Sequence, residues 1–276
     1  MPISRDGTAY QLNGDAAAPA LALIHGLGLN RHLWRAHVAA LSQRYRVLAY
    51  DLLGHGDSAS RATRADDDAT TTPLTLSTFA AQLRALLDEI GIARCAIAGF
   101  SLGGMINRRF AIDYPERARA LAIFNSPHER SAPAQREVEA RAAQAHAGGP
   151  GADLEATLER WFTPRFRAEH DDCIAQVRRW LLANDPLAYA QSRRVLARGV
   201  VELIRPQPPI AQPALVMTAE HDRGSTPAMA RAIAAEIRGA HTIIVPCLQH
   251  MALVESPQSF TEPLLTFLAE VDASDA

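Results

Sequence analysis

The hexapeptide Gly99–Phe100–Ser101–Leu102–Gly103–Gly104 constrains this chain more than any other stretch. It follows an uninterrupted apolar run, Cys95–Ala96–Ile97–Ala98, and opens a segment of helical spacing that reaches Tyr114 and stops before Pro115. A serine in a G-x-S-x-G pattern between a buried strand and a helix sits on a sharp turn, where small neighbours relieve the crowding. Its hydroxyl then projects above the sheet. The helix N-terminus beneath it offers free N–H groups and the positive end of the helix dipole to any anion forming there. The pattern therefore predicts both a strand–helix fold and a nucleophile at Ser101.

The remaining chain supplies that fold. Ala20–Ile24, Arg46–Tyr50, Ala120–Phe124, Ala214–Met217 and Thr242–Val245 are further short apolar runs, as expected of strands buried on both faces. A small hairpin with an Asp6–Gly7 turn is expected over Ile3–Tyr10. Helices are expected over Leu76–Ile90, Leu102–Tyr114, Thr226–Ile237 and Pro257–Val271, the last capped by Ser256. This alternation predicts an α/β fold: a mostly parallel sheet covered by helices on both faces. Residues 126–209 break the rhythm. They hold no clear buried strand, and helical segments are read around 134–147, 153–162, 168–183 and 186–203. We read them as a helical cap inserted after the sixth strand, with 1–125 and 210–276 forming the core domain. Insertions at the carboxyl edge of an open sheet usually border the ligand crevice. Thr63–Pro73 reads as a solvated loop. Its three aspartates, Asp66–Asp68, lack the turn and distal Glu of a calcium loop.

Composition excludes several functions. With 28 basic and 30 acidic residues the net charge is −2, which is not the footprint of a nucleic-acid binder. No apolar run is long enough to span a bilayer, and Met1–Gly14 shows no secretory pattern. All the basic residues are Arg, so chemistry that needs a lysine Schiff base or P-loop lysine is ruled out. Cys95, Cys173 and Cys247 stand far apart, which fits free thiols in a reducing cytoplasm better than a disulfide framework or zinc site.

Further motifs extend the reading. His25–Gly26–Leu27–Gly28 follows the first apolar run, and Asp51–Leu52–Leu53–Gly54–His55–Gly56–Asp57–Ser58 follows the second. With the Ser101 turn, these make the chain resemble the α/β-hydrolase family from His25 to the C-terminal helix. Arg160–Trp161–Phe162–Thr163 and Tyr189–Ala190–Gln191–Ser192 resemble the 3-oxoadipate enol-lactonase and carboxylesterase group within it. The resemblance implies the α/β-hydrolase fold and a triad in the order Ser, acid, His. It places the base at His250, in the loop after the last apolar run, with His221 as competitor. It places the acid at Asp222, with Glu220 as a rival. It points to the backbone N–H groups of Leu27 and Leu102 as the oxyanion hole.

Ser101, His250 and Asp222 together describe a serine esterase or lactonase acting on a small organic ester or lactone through an acyl-enzyme, with no metal or organic cofactor. Carbon–carbon bond hydrolysis, acyl transfer and cofactor-free perhydrolysis use the same triad and remain as alternatives. A non-catalytic binding protein of this fold is the third reading. Trp34, Phe100, Trp161, Phe162, Leu181 and Met251 are candidates for an apolar pocket, with His25 and His128 beside it. Arg130, Arg165 and Arg194 are candidates for a substrate carboxylate. The expected partner is the small-molecule substrate; no nucleic acid or membrane is expected, and apolar cap faces leave room for a homodimer.

Overall fold

The apolar runs pair into one sheet. In the computed structural model, residues 2–59 and 73–275 are described. The strands are β1 (Tyr10–Asn13), β2 (Ala20–Ile24), β3 (Arg46–Tyr50), β4 (Cys95–Phe100), β5 (Ala118–Phe124), β6 (Ala214–Ala219) and β7 (His241–Val245). Their spatial order is β1-β3-β2-β4-β5-β6-β7. β1 runs antiparallel to β3, and every other pairing is parallel. β4 lies central and is buried at all six positions, which is why its sequence carries no polar alternation.

Eleven α-helices occur among the described residues. α1 (Arg35–Leu41), α2 (Leu76–Glu89) and α3 (Leu102–Asp113) lie along the first half of the chain. α4 (Ala132–Gly148), α5 (Leu154–Trp161), α6 (Pro164–Glu169), α7 (Asp171–Leu182) and α8 (Pro186–Arg198) stand between β5 and β6. α9 (Pro227–Ala235), α10 (Ala252–Glu255) and α11 (Gln258–Asp275) complete the chain. Local chemistry sets several helix starts. Thr75 and Thr78 form a reciprocal capping box on α2, and Thr226 caps α9 ahead of Pro227. None of these helices is long and apolar enough to cross a membrane.

Two expectations change. The hairpin over Ile3–Tyr10 is reduced to a single antiparallel bridge, Ile3 to Ala9, and the regular strand at this edge is Tyr10–Asn13. The inserted helices therefore follow the fifth strand rather than the sixth. The expected loop over 63–73 lies, apart from Pro73, outside the described residues.

Candidate active site

The chain passes from β2 to β3 on one side, then crosses back to place β4 on the other side of β2. Ile24 and Gly99 are register partners, so the loops after β2 and β4 leave the sheet side by side at this switch point. That is where an open α/β sheet forms its crevice. Ser101 occupies it with φ 56° and ψ −112°, a strained conformation for a residue with a Cβ. The surroundings hold it there: its N–H donates to Phe124 O at 2.8 Å, and its carbonyl accepts from Ser126 Oγ at 3.0 Å. Two glycines are needed for this packing. A Cβ at Gly99 would run into the Gly103 carbonyl, and one at Gly103 into the Ile24 carbonyl.

His250 and Asp222 reach the same place from the loops after β7 and β6. His250 Nδ1 lies 2.7 Å from Asp222 Oδ2. The carboxylate is otherwise saturated: Oδ1 accepts from the N–H groups of Gly224 and Ser225, each at 2.9 Å, and Oδ2 also accepts from Asn125 Nδ2 at 2.9 Å. A carboxylate accepting from Nδ1–H leaves the His250 Nε2 lone pair free. Among the described residues Ser101 Oγ makes no hydrogen bond to His250; such bonds are often long until substrate arrives. The imidazole is bracketed by Phe100 and Trp161, with ring centroids at 5.0 and 5.7 Å. The two rivals lie elsewhere. His221 is exposed beside Glu220, and Glu220 accepts from the Cys247 N–H at 2.9 Å.

The loop after β2 is pinned from beneath. Buried His25 accepts from Leu52 N–H through Nε2 at 2.9 Å, so its Nδ1 carries the proton and donates to Gly26 O at 2.7 Å. That carbonyl belongs to the Gly26–Leu27 peptide, whose N–H points the opposite way. Neither the Leu27 nor the Leu102 N–H has a hydrogen-bond partner among the described residues. From above, Asn184 Nδ2 donates to Gly28 O at 3.0 Å. The Asp51–Ser58 stretch is a clamp. Asp51 pairs with Arg31 and accepts from the N–H of Arg31 at 2.7 Å and of Asp57 at 2.9 Å.

Burial pushes the pKa of His25 and His37 down to about 4 and that of His55 to about 3. The unfolded chain binds these protons near pH 6.5, so it takes up more protons than the folded chain between there and about 4. Stability is therefore intact above pH 6.5 and falls as pH drops toward 4. The melting temperature should fall by about 5 °C or more between pH 7 and pH 5. An unchanged value across that interval would contradict the neutral, buried state of these rings.

One cavity of about 370 Å³ gathers the site. Gly26, Leu27, Phe100, Ser101, Asp222 and His250 line it from the sheet side, and Arg130, Arg141, Arg160, Trp161 and Arg193 from the inserted segment. Of the pocket candidates read from the sequence, Phe100, Trp161 and Arg130 line this cavity. The other pocket candidates do not. Trp34 is fully buried in the core against His37 and Phe124, and Met251 is fully buried with its N–H on Trp161 O. His25 lies behind the loop, and His128 faces Glu236 at 3.1 Å. Phe162 stacks on Phe166, and Leu181 packs over Gly28. Arg165 is exposed beside Glu169, and Arg194 is exposed. Each apolar side chain among them is buried, and none lines the cavity. Asn125, Arg141, Arg160 and Arg193 are among the cavity and carboxylate contacts that sequence reasoning passed over. The one available signal was Asn125 at a strand end, where it adopts φ 47°.

An elbow serine on a parallel sheet, with a His–Asp pair delivered by the last two strand ends, defines the class. The chain belongs to the alpha/beta hydrolase family, whose model matches residues 21–262. It is similar to 3-oxoadipate enol-lactonase 2 of Acinetobacter baylyi, at 28% identity over 91% of this chain and 89% of that protein. It is also similar to (E)-2-((N-methylformamido)methylene)succinate hydrolase of the same organism, at 25% identity over 97% of both. Among solved structures it resembles the enol-lactonase from Burkholderia xenovorans, with a TM-score of 0.84, 30% identity, and coverage of 95% of this chain and 96% of that one.

Proposed function

We propose that this protein is a serine hydrolase that cleaves a carboxylic ester or lactone of a small organic substrate through Ser101, His250 and Asp222. The observation that carries this reading is the 2.7 Å His250–Asp222 contact in the cavity that also holds the strained Ser101. The relatives named as an enol-lactonase and a succinate-derivative hydrolase support it. Residues 126–209 act as the cap over the cleft, and α5 and the loop after it tie that cap to the His250 loop. Gln249 Nε2 donates to the carbonyls of Glu159 and Arg160, and Met251 N–H to that of Trp161.

The chemistry follows from the geometry. Ser101 Oγ forms a bond to the carbonyl carbon while its proton passes to His250 Nε2. The tetrahedral oxyanion accepts from the Leu27 and Leu102 N–H groups, each worth ~3 kcal/mol of barrier. Collapse breaks the bond to the leaving oxygen, which takes the proton from His250. Water then gives a proton to His250 and attacks the acyl carbon; collapse breaks the bond to Ser101 Oγ, which takes that proton from His250, and the acid leaves. Asp222 holds the imidazole in the required tautomer and stabilises its cation.

The test is intact-protein mass spectrometry after a fluorophosphonate probe, beside p-nitrophenyl acetate turnover. Wild type should take one adduct and turn the ester over, and Ser101→Ala should do neither. A folded, unlabelled and inactive wild type would overturn the reading.

A further inference from the structure

The sheet side of the cavity is largely apolar or committed to the chemistry, but the opposite wall is cationic. Arg130 precedes α4; Arg141, Arg160 and Arg193 come from α4, α5 and α8; Arg223 sits at the exposed rim. These five guanidiniums meet two carboxylates. Glu137 pairs with Arg141, while Asp153 is shared between Arg160 at 3.4 Å and Arg193 at 3.2 Å. Asp222, which holds His250, is a third carboxylate on the cavity. Five cations against three anions leave a surplus of two around a space of about 370 Å³.

The inner guanidiniums are also held in place. Arg193 is buried and donates to Tyr189 Oη at 3.0 Å. Arg160 donates to Thr157 Oγ1 at 2.7 Å. Arg130 reaches the Leu196 and Ala197 carbonyls and Gln135 Oε1, each at 3.3 Å, and has no carboxylate partner among the described residues. Each guanidinium carries five N–H donors, so these contacts fix its position while leaving donors for a ligand. Burial together with the like charge of Arg141 pushes the Arg130 pKa down to about 10. Burial and the neighbouring Arg141 and Arg193 lower that of Arg160. Desolvated cations crowded by like charge are stabilised by an anion.

We propose that Arg130, Arg160 and Arg193 form a carboxylate subsite, so that the substrate is an acid ester or acid lactone whose free carboxylate lies at the cap while its scissile carbonyl lies at Ser101. This deepens the serine-hydrolase reading and rests on it. A guanidinium fork matches a carboxylate in two parallel N–H···O bonds, which orients the acyl chain as well as binding it.

The experiment compares monoethyl glutarate with ethyl pentanoate, equal in acyl length but differing in the distal charge, by pH-stat. Wild type should prefer the acid ester by about thirtyfold or more in kcat/KM, and that preference should weaken in high salt. Arg160→Gln and Arg130→Gln should each cut the preference at least about tenfold, and Arg160→Lys should restore part of it. A wild-type preference near unity, or a preference unchanged in both folded variants, overturns the subsite. Calorimetry on Ser101→Ala protein separates the two readings, because it needs no turnover. Binding of monoethyl glutarate that is lost when Arg160→Gln is added supports the subsite even if no ester is hydrolysed; absence of binding refutes it.

Discussion

Asp222→Asn lowers kcat on an activated ester by roughly a thousand- to ten-thousandfold, with KM changed only a few-fold. The size follows from hydrogen-bond accounting. The amide oxygen can keep the Gly224 and Ser225 N–H groups that Oδ1 now accepts. The amide nitrogen then faces both Asn125 Nδ2 and His250 Nδ1, where Asp222 Oδ2 accepts from each. Two donors cannot satisfy a third. His250 turns to the tautomer with its proton on Nε2, and Ser101 loses its base. Folding should be little affected, because shape and volume are kept, so circular dichroism and melting temperature stay near wild type. Glu220→Gln is the contrasting variant: among the described residues Glu220 serves only the Cys247 N–H and the exposed His221, so kcat should stay within about twofold. Equal losses in the two variants would move the acid away from Asp222.

The parts legible in the sequence were those whose physics is local. Strands buried on both faces leave uninterrupted apolar runs, and the Ser101 elbow leaves glycines where a Cβ would strike backbone carbonyls. β1 was misplaced because Tyr10–Asn13 is a half-exposed edge strand with Gln11 pointing out, so its periodicity is weak. Trp34 and Met251 looked like pocket residues because they stand near the motifs, yet proximity along the chain does not decide which side of a loop a side chain takes. Asn125, Arg141, Arg160 and Arg193 were missed for a different reason. Their roles exist only once β5, β6 and the inserted helices converge, and in a chain whose cations are all Arg no spacing singles out those three arginines.

His25→Ala should cost activity in excess of stability, by about a hundredfold or more in kcat. The side chain touches no substrate. It is a positioning residue that ties the Gly26 carbonyl and the Leu52 N–H together. Removing it leaves the buried Leu52 N–H unpaired, at about 1–3 kcal/mol, and leaves the Gly26 carbonyl held by the Leu29 N–H alone, at 3.2 Å, so the Gly26–Leu27 peptide is freer to rotate. Rotation turns the Leu27 N–H out of the cavity, and one oxyanion donor is lost. A merely structural histidine would lower the folded fraction and the melting temperature, while the activity of each folded molecule stayed at the wild-type value. The discriminating measurement is kcat per fluorophosphonate-titrated site, taken well below the melting temperature, together with the limiting pH profile. The donor-loss account requires kcat per site to drop while KM changes little and the His250 limb of the profile stays where it was, because the Asp222–His250 pair is untouched. A per-site kcat equal to wild type would confine His25 to packing and leave the Leu29 N–H as the contact that holds the Gly26–Leu27 peptide.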